Sequence, residues 1–244
     1  MTRSPTAPLV GKVPSVRYDD IEASLATGDV LIFHGSSGES VTIEQKNHLP
    51  FSHSAMVIRP SRSRPPLIWQ AAPISLTKDT FTKTLHGGAQ ISLLRENLIF
   101  VSNPKYGDTP YLRRLKFART PEFETVAEWA IAGLDGTPFP KLNKLLKQFK
   151  AGTRHRATTD RTFFCSELVA HTFMMMGLLP FDPPPNSYAP GYFSSEFAEH
   201  RGRRGMRPGP HATDLPWLRG ASLGREMLLI PPPAPAPPTK ARPA

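Results

Sequence analysis

The chain contains a single cysteine, Cys165, in the run Arg161-Thr-Phe-Phe-Cys165-Ser-Glu-Leu-Val-Ala-His-Thr-Phe. Its surroundings read as a strand giving way to a helix, with the thiol at the helix start. A lone cysteine has no partner for an intrachain disulfide. Unpaired N–H groups at a helix start, together with the positive end of the helix dipole, favour the thiolate. That makes Cys165 a candidate nucleophile. The competing reading is a small apolar residue packed beneath the two phenylalanines that precede it. A histidine base, and a group to orient it, decide between the two.

Eight histidines are available. His53 heads the run Ser52-His-Ser-Ala-Met-Val-Ile58, where small neighbours leave the ring room to face a cleft and a strand holds it rigidly. His34 and His48 read as loop residues, His171 falls inside the cysteine helix, and His200 and His211 lie in Arg- and Pro-rich segments. The neighbouring strand, Leu67-Ile-Trp-Gln-Ala-Ala72, supplies Gln70. Alternation puts Gln70 and Ile68 on one face and Trp69 on the other. If His53 shares the Gln70 face, the amide oxygen accepts a proton from one ring nitrogen, fixes the tautomer and aims the other nitrogen at the thiol. A neutral amide suffices, because a thiolate–imidazolium pair needs an orienting acceptor more than a third charge.

The elements that must position these residues follow from pattern. Thr27 to Phe33 is a turn feeding a buried strand, followed by a glycine- and serine-rich loop from His34 to Ser40. Ser52 to Ile58 and Pro66 to Ala72 form an antiparallel hairpin, and Ala89 to Arg95 is a fourth strand. Pro121 to Ala132 has helical spacing and an acidic first turn. Leu142, Leu145, Leu146 and Phe149 form a helical stripe, with Lys141, Lys144, Lys147 and Lys150 on another face. This basic amphipathic helix either docks by its apolar side or meets an anionic surface. Ser166 to Leu179 is the helix after the cysteine, with Phe173 and Met174 to Met176 as core filler, and Arg225 to Ile230 is a last strand.

The order Gly28-Asp29-Val-Leu-Ile, then Phe51-Ser-His53 heading a strand, then Trp69-Gln70-Ala71, then Phe164-Cys165-Ser-Glu-Leu-Val169 resembles the YiiX-like branch of the NlpC-type cysteine peptidases. The resemblance spans residues 27 to 195 and includes Tyr188-Ala-Pro190. It implies an α+β, circularly permuted papain-like fold, in which an antiparallel sheet packs against the cysteine-bearing helix. It also implies that Cys165 is the nucleophile, His53 the general base and Gln70 the orienting residue. Relatives commonly carry Glu where this chain has Gln70, which keeps an acceptor and removes a charge. Glu167 is similar to an acidic residue that follows the family cysteine, and its first-turn position assigns it to helix stabilisation. The chemistry implied is hydrolysis of small amide-linked peptide or aminoacyl compounds, cell-wall peptides among them, through a thioester. Two alternatives stay open. One is lipid acyl chemistry of the lecithin:retinol acyltransferase type, although those relatives carry Asn-Cys-Glu-His at the nucleophile. The other is a non-catalytic binding protein on the same scaffold.

Composition sets the outer bounds. The 244 residues include 28 prolines concentrated near the ends and in connections. The expected division is a flexible lead over 1–18, one hydrolase domain over 19–230 and a Pro/Ala-rich disordered tail over 231–244. A net charge of +10 attracts anionic partners, such as a membrane or cell-wall surface. No zinc-finger, RNA-binding or basic-zipper pattern is present, so no specific nucleic-acid partner is expected, and Arg113-Arg114 and Arg201 to Arg204 read as solvated surface. No metal-ligand spacing, phosphate loop or dinucleotide fingerprint appears, so no cofactor or metal is expected. The start lacks a secretory apolar run and no segment is long enough to span a bilayer, which points to the cytoplasm. Export by a route that leaves no sequence signal stays compatible, and oligomeric state is not legible.

Overall fold

The computed structural model describes residues 13–75, 77–103, 107–158, 161–195 and 215–234. Residues 1–12 of the expected lead, His200, His211, the Arg201 to Arg204 cluster and residues 235–244 of the tail lie outside the described residues. In chain order the elements are β1 (Ser15–Arg17), α1 (Tyr18–Ile21), β2 (Val30–His34), α2 (Gly38–Asn47), β3 (His53–Ile58), β4 (Leu67–Ala72) and β5 (Gly88–Leu93). They continue with α3 (Leu94–Val101), β6 (Thr109–Arg113), β7 (Leu115–Lys116), α4 (Pro121–Leu134), α5 (Leu142–Gly152), α6 (Cys165–Met175), β8 (Ser222–Leu223) and β9 (Met227–Ile230). The chain is mixed α+β, built on a seven-stranded sheet of order β1-β9-β6-β2-β3-β4-β5. Every pairing in it is antiparallel except β1 with β9.

The central strands are continuous apolar runs because both faces of the sheet are covered. On one face Val30, Ile32, Met56 and Trp69 pack against Leu168, Val169 and Phe173 of α6 and against Phe123, Ala127 and Ile131 of α4. On the other, Leu31, Phe33, Ala55, Val57 and Ile68 meet Tyr18 of α1 and Leu94 and Leu98 of α3. The Trp69 indole N–H donates to Thr172 Oγ1 at 3.1 Å, pinning β4 to α6. Helix α6 is apolar around most of its circumference because it lies between the sheet, α4 and the chain near Tyr188 and Phe193.

The antiparallel β3–β4 hairpin is present, with Met56 opposite Trp69. Several expectations are corrected. The end of the expected 1–18 lead belongs to the fold, since Ser15 to Arg17 add a parallel strand to β9 and Tyr18 is fully buried. Cys165 follows irregular chain rather than a strand. His34 ends β2 instead of lying in a loop, and the loop beyond it turns into α2 at Gly38, where the Ser37 hydroxyl caps the helix by accepting from the Ser40 N–H at 3.1 Å. The fourth strand stops at Leu93, and α3 starts at once, with no Gly or Pro between them to announce it.

Arg113 and Arg114 are structural anchors rather than solvated surface. The buried Arg113 guanidinium donates to the carbonyls of Gly224 and Phe193, both at 2.6 Å. Arg114 reaches Asp29 at 2.7 Å. Gly28 has φ +87°, and a Cβ there would stand 2.6 Å from Leu115 Cδ2, so the turn entering β2 requires glycine.

Candidate active site

His53 is the first residue of β3, held against Phe33 with ring centroids 5.3 Å apart. Its Nε2 lies 2.9 Å from Gln70 Oε1, and since a carbonyl oxygen only accepts, Nε2 carries the proton. The alternation of β4 behaves as its sequence requires. Trp69 joins the apolar cluster under α6 and Ile68 the opposite cluster, leaving Gln70 on the Ile68 side with His53. That leaves Nδ1 as the ring nitrogen available to the Cys165 side chain, which acts on His53 across the cleft. All three residues line one cleft of about 640 Å³.

Cys165 is the first residue of α6, an eleven-residue helix. Glu167 is fully buried and accepts the Phe164 N–H at 3.4 Å, the helix-start role expected for it. Ser166 donates to the Tyr188 carbonyl at 2.8 Å, which fixes the helix start against the Tyr188-Ala-Pro190 segment. Burial by itself pushes the Cys165 thiol up. The positive His53 ring, a His53 hydrogen bond and the backbone N–H groups of Ser54 and Ser166 outweigh it, and the thiol falls below its ordinary value. For His53, burial opposes the cation. The Cys165 thiolate and its hydrogen bond, the Gln70 contact and the charge of Asp108 overcome that and raise the imidazole above its ordinary value. In each shift the largest influence opposing burial is the charge of the other residue, the coupling that a thiolate–imidazolium pair requires.

Two features of the site have no sequence motif. Asp108 lines the cleft, its carboxyl raised by burial while the positive charges of His53 and His34 act against that rise. His34 Nδ1 lies 3.0 Å from the buried Glu44 carboxylate, which also accepts the Gly35 N–H at 3.1 Å. Burial lowers the His34 imidazole less than the Glu44 hydrogen bond raises it, so His34 ends above its ordinary value. These acidic side chains come from the segment before β6 and from α2, whose short, weakly patterned sequences gave no reason to place Asp108 by His53 or Glu44 by His34.

The basic helix α5 forms one wall. Leu142, Leu145 and Lys141 border the cleft, and Leu145, Leu146 and Phe149 turn toward a second, mostly apolar slot that reaches Cys165, Ala189 and Pro190. The slot holds about 20 Å³, room for one small group. Gly152 closes the same helix against Asn186, whose backbone carbonyl carbon would stand 2.4 Å from a Cβ there.

Replacing Gln70 with Ala removes the acceptor that fixes the ring. We expect turnover to fall on the order of 10-fold or more. Because the Gln70 contact helps raise His53, the alkaline limb of the pH–rate profile should move to lower pH. Gln70→Glu restores the acceptor and adds a charge, so its alkaline limb should lie above that of wild type. A pH–rate profile of the three proteins checks this.

No family model and no curated protein sequence matches the chain. Among solved structures, the metalloprotein yiiX from Escherichia coli O157:H7 is similar over 83% of this chain and 98% of its own, at 16% identity and a TM-score of 0.46. Among the described residues no helix is long and apolar enough to cross a membrane.

Proposed function

We propose that this protein is a cysteine hydrolase that cleaves small amide- or ester-linked acyl compounds through a thioester on Cys165, on a permuted papain-like frame. One observation carries the reading: His53, bonded to the Gln70 amide oxygen at 2.9 Å, shares one cleft with the thiol at the start of α6, and the two groups favour each other's charged forms. In chain order the histidine strand precedes the cysteine helix, as a permuted frame requires.

The thiolate attacks the substrate carbonyl carbon and forms the C–S bond. First-turn backbone N–H groups of α6 face the developing oxyanion. As the C–N or C–O bond breaks, the His53 imidazolium gives its Nδ1 proton to the departing amine or alcohol. Neutral His53 then takes a proton from water as the water oxygen attacks the thioester, and the acid product leaves with the ion pair restored. The Gln70 contact holds the ring through both transfers.

The lipid-ester alternative rests on the basic helix, but the apolar side of α5 is already turned into the protein, with Leu145 buried. Small amide substrates are therefore the first reading. Intact-mass analysis after brief exposure to a panel of aminoacyl amides, short peptides and p-nitrophenyl esters tests it. The expected result is an acyl adduct on Cys165 that decays with product release and is absent from Cys165→Ser. A panel that leaves the wild-type mass unchanged, with no product formed, would leave a binding protein.

A further inference from the structure

The connection from β4 to β5 carries a second cluster of chemistry-bearing side chains that takes no part in the cleft. Asp79 is buried, and its carboxylate is fixed by backbone donors. Oδ1 accepts the Phe81 and Thr82 N–H groups, both at 2.8 Å, and Oδ2 accepts the Ile91 N–H at 2.8 Å. His86 precedes β5, and Asp135 caps the C-terminal end of α4. One ligand atom from each of the three lies within 4.8 Å of the others.

The tautomer of His86 is set. Its Nδ1 lies 3.2 Å from the Gly87 carbonyl, so Nδ1 carries the proton and Nε2 presents its lone pair. That Nε2 is shielded from solvent, has no hydrogen-bond partner among the described residues, and sits 3.7 Å from Asp79 Oδ2. Asp135 Oδ1 is likewise shielded and without a partner. Lone pairs from an imidazole and two carboxylates thus converge, with no donor between them other than a proton that Asp135 can share with Asp79. Leaving buried polar atoms in that state is costly, and a cation satisfies all three at once.

We propose that Asp79, His86 and Asp135 bind one divalent transition-metal ion, of which Zn²⁺ is the natural probe, with water completing its coordination. One imidazole and two carboxylates suit such an ion, and the Gly87 carbonyl behind His86 is the outer support that metal-bound imidazoles require. None of the three residues lines the cleft, so the ion's role is structural. It joins the β4–β5 connection to the turn after α4, which backbone bonds Ala89 N–H to Thr137 O and Gly136 N–H to Ala89 O, both at 2.8 Å, already stitch together. The same two segments supply Pro73, Ile74, Phe139 and Pro140 to the lining of the cleft. The ion therefore braces a cleft wall without entering the reaction.

The test is calorimetric titration of chelator-stripped full-length protein with Zn²⁺, alongside metal analysis and thermal melts. The expected result is one ion per chain, a melting midpoint raised by Zn²⁺, and affinity weakened about 10-fold or more in His86→Ala and in Asp135→Asn. Cys165→Ser and His53→Ala should bind like wild type. The proposal is overturned if wild type shows no saturable binding, which would mean that a proton shared by Asp79 and Asp135 fills the gap. It is also overturned if binding survives in His86→Ala and Asp135→Asn, or is lost in Cys165→Ser. Each of those outcomes leaves the thiol chemistry at Cys165 to be judged separately.

Discussion

Replacing His53 with Ala is expected to lower turnover of an activated ester or amide by about 10³-fold or more. In the proposed mechanism the ring serves three ends in one position. It holds Cys165 as a thiolate, it is the acid for the leaving group, and it is the base for the water that opens the thioester. Without it, burial pushes the thiol up unopposed except by the Ser54 and Ser166 N–H groups. The pH profile carries a second signature. In wild type the acid limb follows Cys165, lowered from its ordinary value, so activity appears below the usual thiol range. The alkaline limb follows His53, raised from its ordinary value, so activity is lost above the usual imidazole range. His53→Ala should lose the alkaline limb and move the acid limb upward. A folded His53→Ala protein that kept more than about a tenth of wild-type turnover would remove His53 from the mechanism.

Exchanging Asp29 for Ala is expected to destabilise the fold by about 3–5 kcal/mol, with little direct bearing on chemistry. The Asp29 carboxylate is 1% exposed. It accepts the Leu115 N–H at 3.0 Å and the Ala26 N–H at 3.1 Å, and pairs with Arg114 at 2.7 Å and Arg119 at 3.0 Å. Burial pulls the Arg119 guanidinium down, and Asp29 is the first charge opposing that. Removing the carboxylate leaves both guanidinium groups and two backbone donors without their partner at the entry to β2. Asp29→Asn keeps the shape but sets an N–H₂ against donors, and should recover only part of the loss. Chemical denaturation of the three proteins measures it, and a cost for Asp29→Ala below about 1 kcal/mol would contradict the assignment.

The contrast between these two residues shows what was legible in the sequence. Cys165, His53 and Gln70 could be read because each combines reactive chemistry with a strong local pattern. A lone thiol opens a helix, and two apolar runs joined by a proline-rich turn must pair as a hairpin. Once they pair, alternation sets Gln70 opposite in face to Trp69, and the register that puts Met56 across from Trp69 brings it to the His53 side. Gly28-Asp29, which carried part of the family resemblance, turns out to hold the scaffold: a positive-φ turn and a buried carboxylate that gathers two arginines.

What stayed hidden was hidden for physical reasons. Helix α2, Gly38 to Asn47, is mostly polar and has no strong apolar stripe, so its Glu44 could not be brought to His34 from sequence. Strand β6 carries Pro110, a residue that argues against an interior strand; it is tolerated because Pro110 is opposite Phe33 of β2, while β9 pairs with β6 only at Tyr111 and Leu112. Asp108 therefore had no element to place it beside the cleft. The Arg113-Arg114 pair looked like surface because charge is the only local signal, while the carbonyls and the carboxylate that draw it inward come from distant parts of the chain. Asp135 is likewise brought to Asp79 and His86 only by the hydrogen bonds that join the turn after α4 to Ala89 of β5.

The most direct test of the ion pair is the rate of Cys165 alkylation by iodoacetamide as a function of pH, in wild type and in His53→Ala. Because the chain has one cysteine, intact mass reports that site alone. The thiolate–imidazolium arrangement predicts reactivity that persists well below the free-thiol range near about 8.5, and that retreats to higher pH when His53 is removed. Reactivity that follows ordinary thiol ionisation, identically in both proteins, would contradict it and return Cys165 to the role of a packed apolar residue.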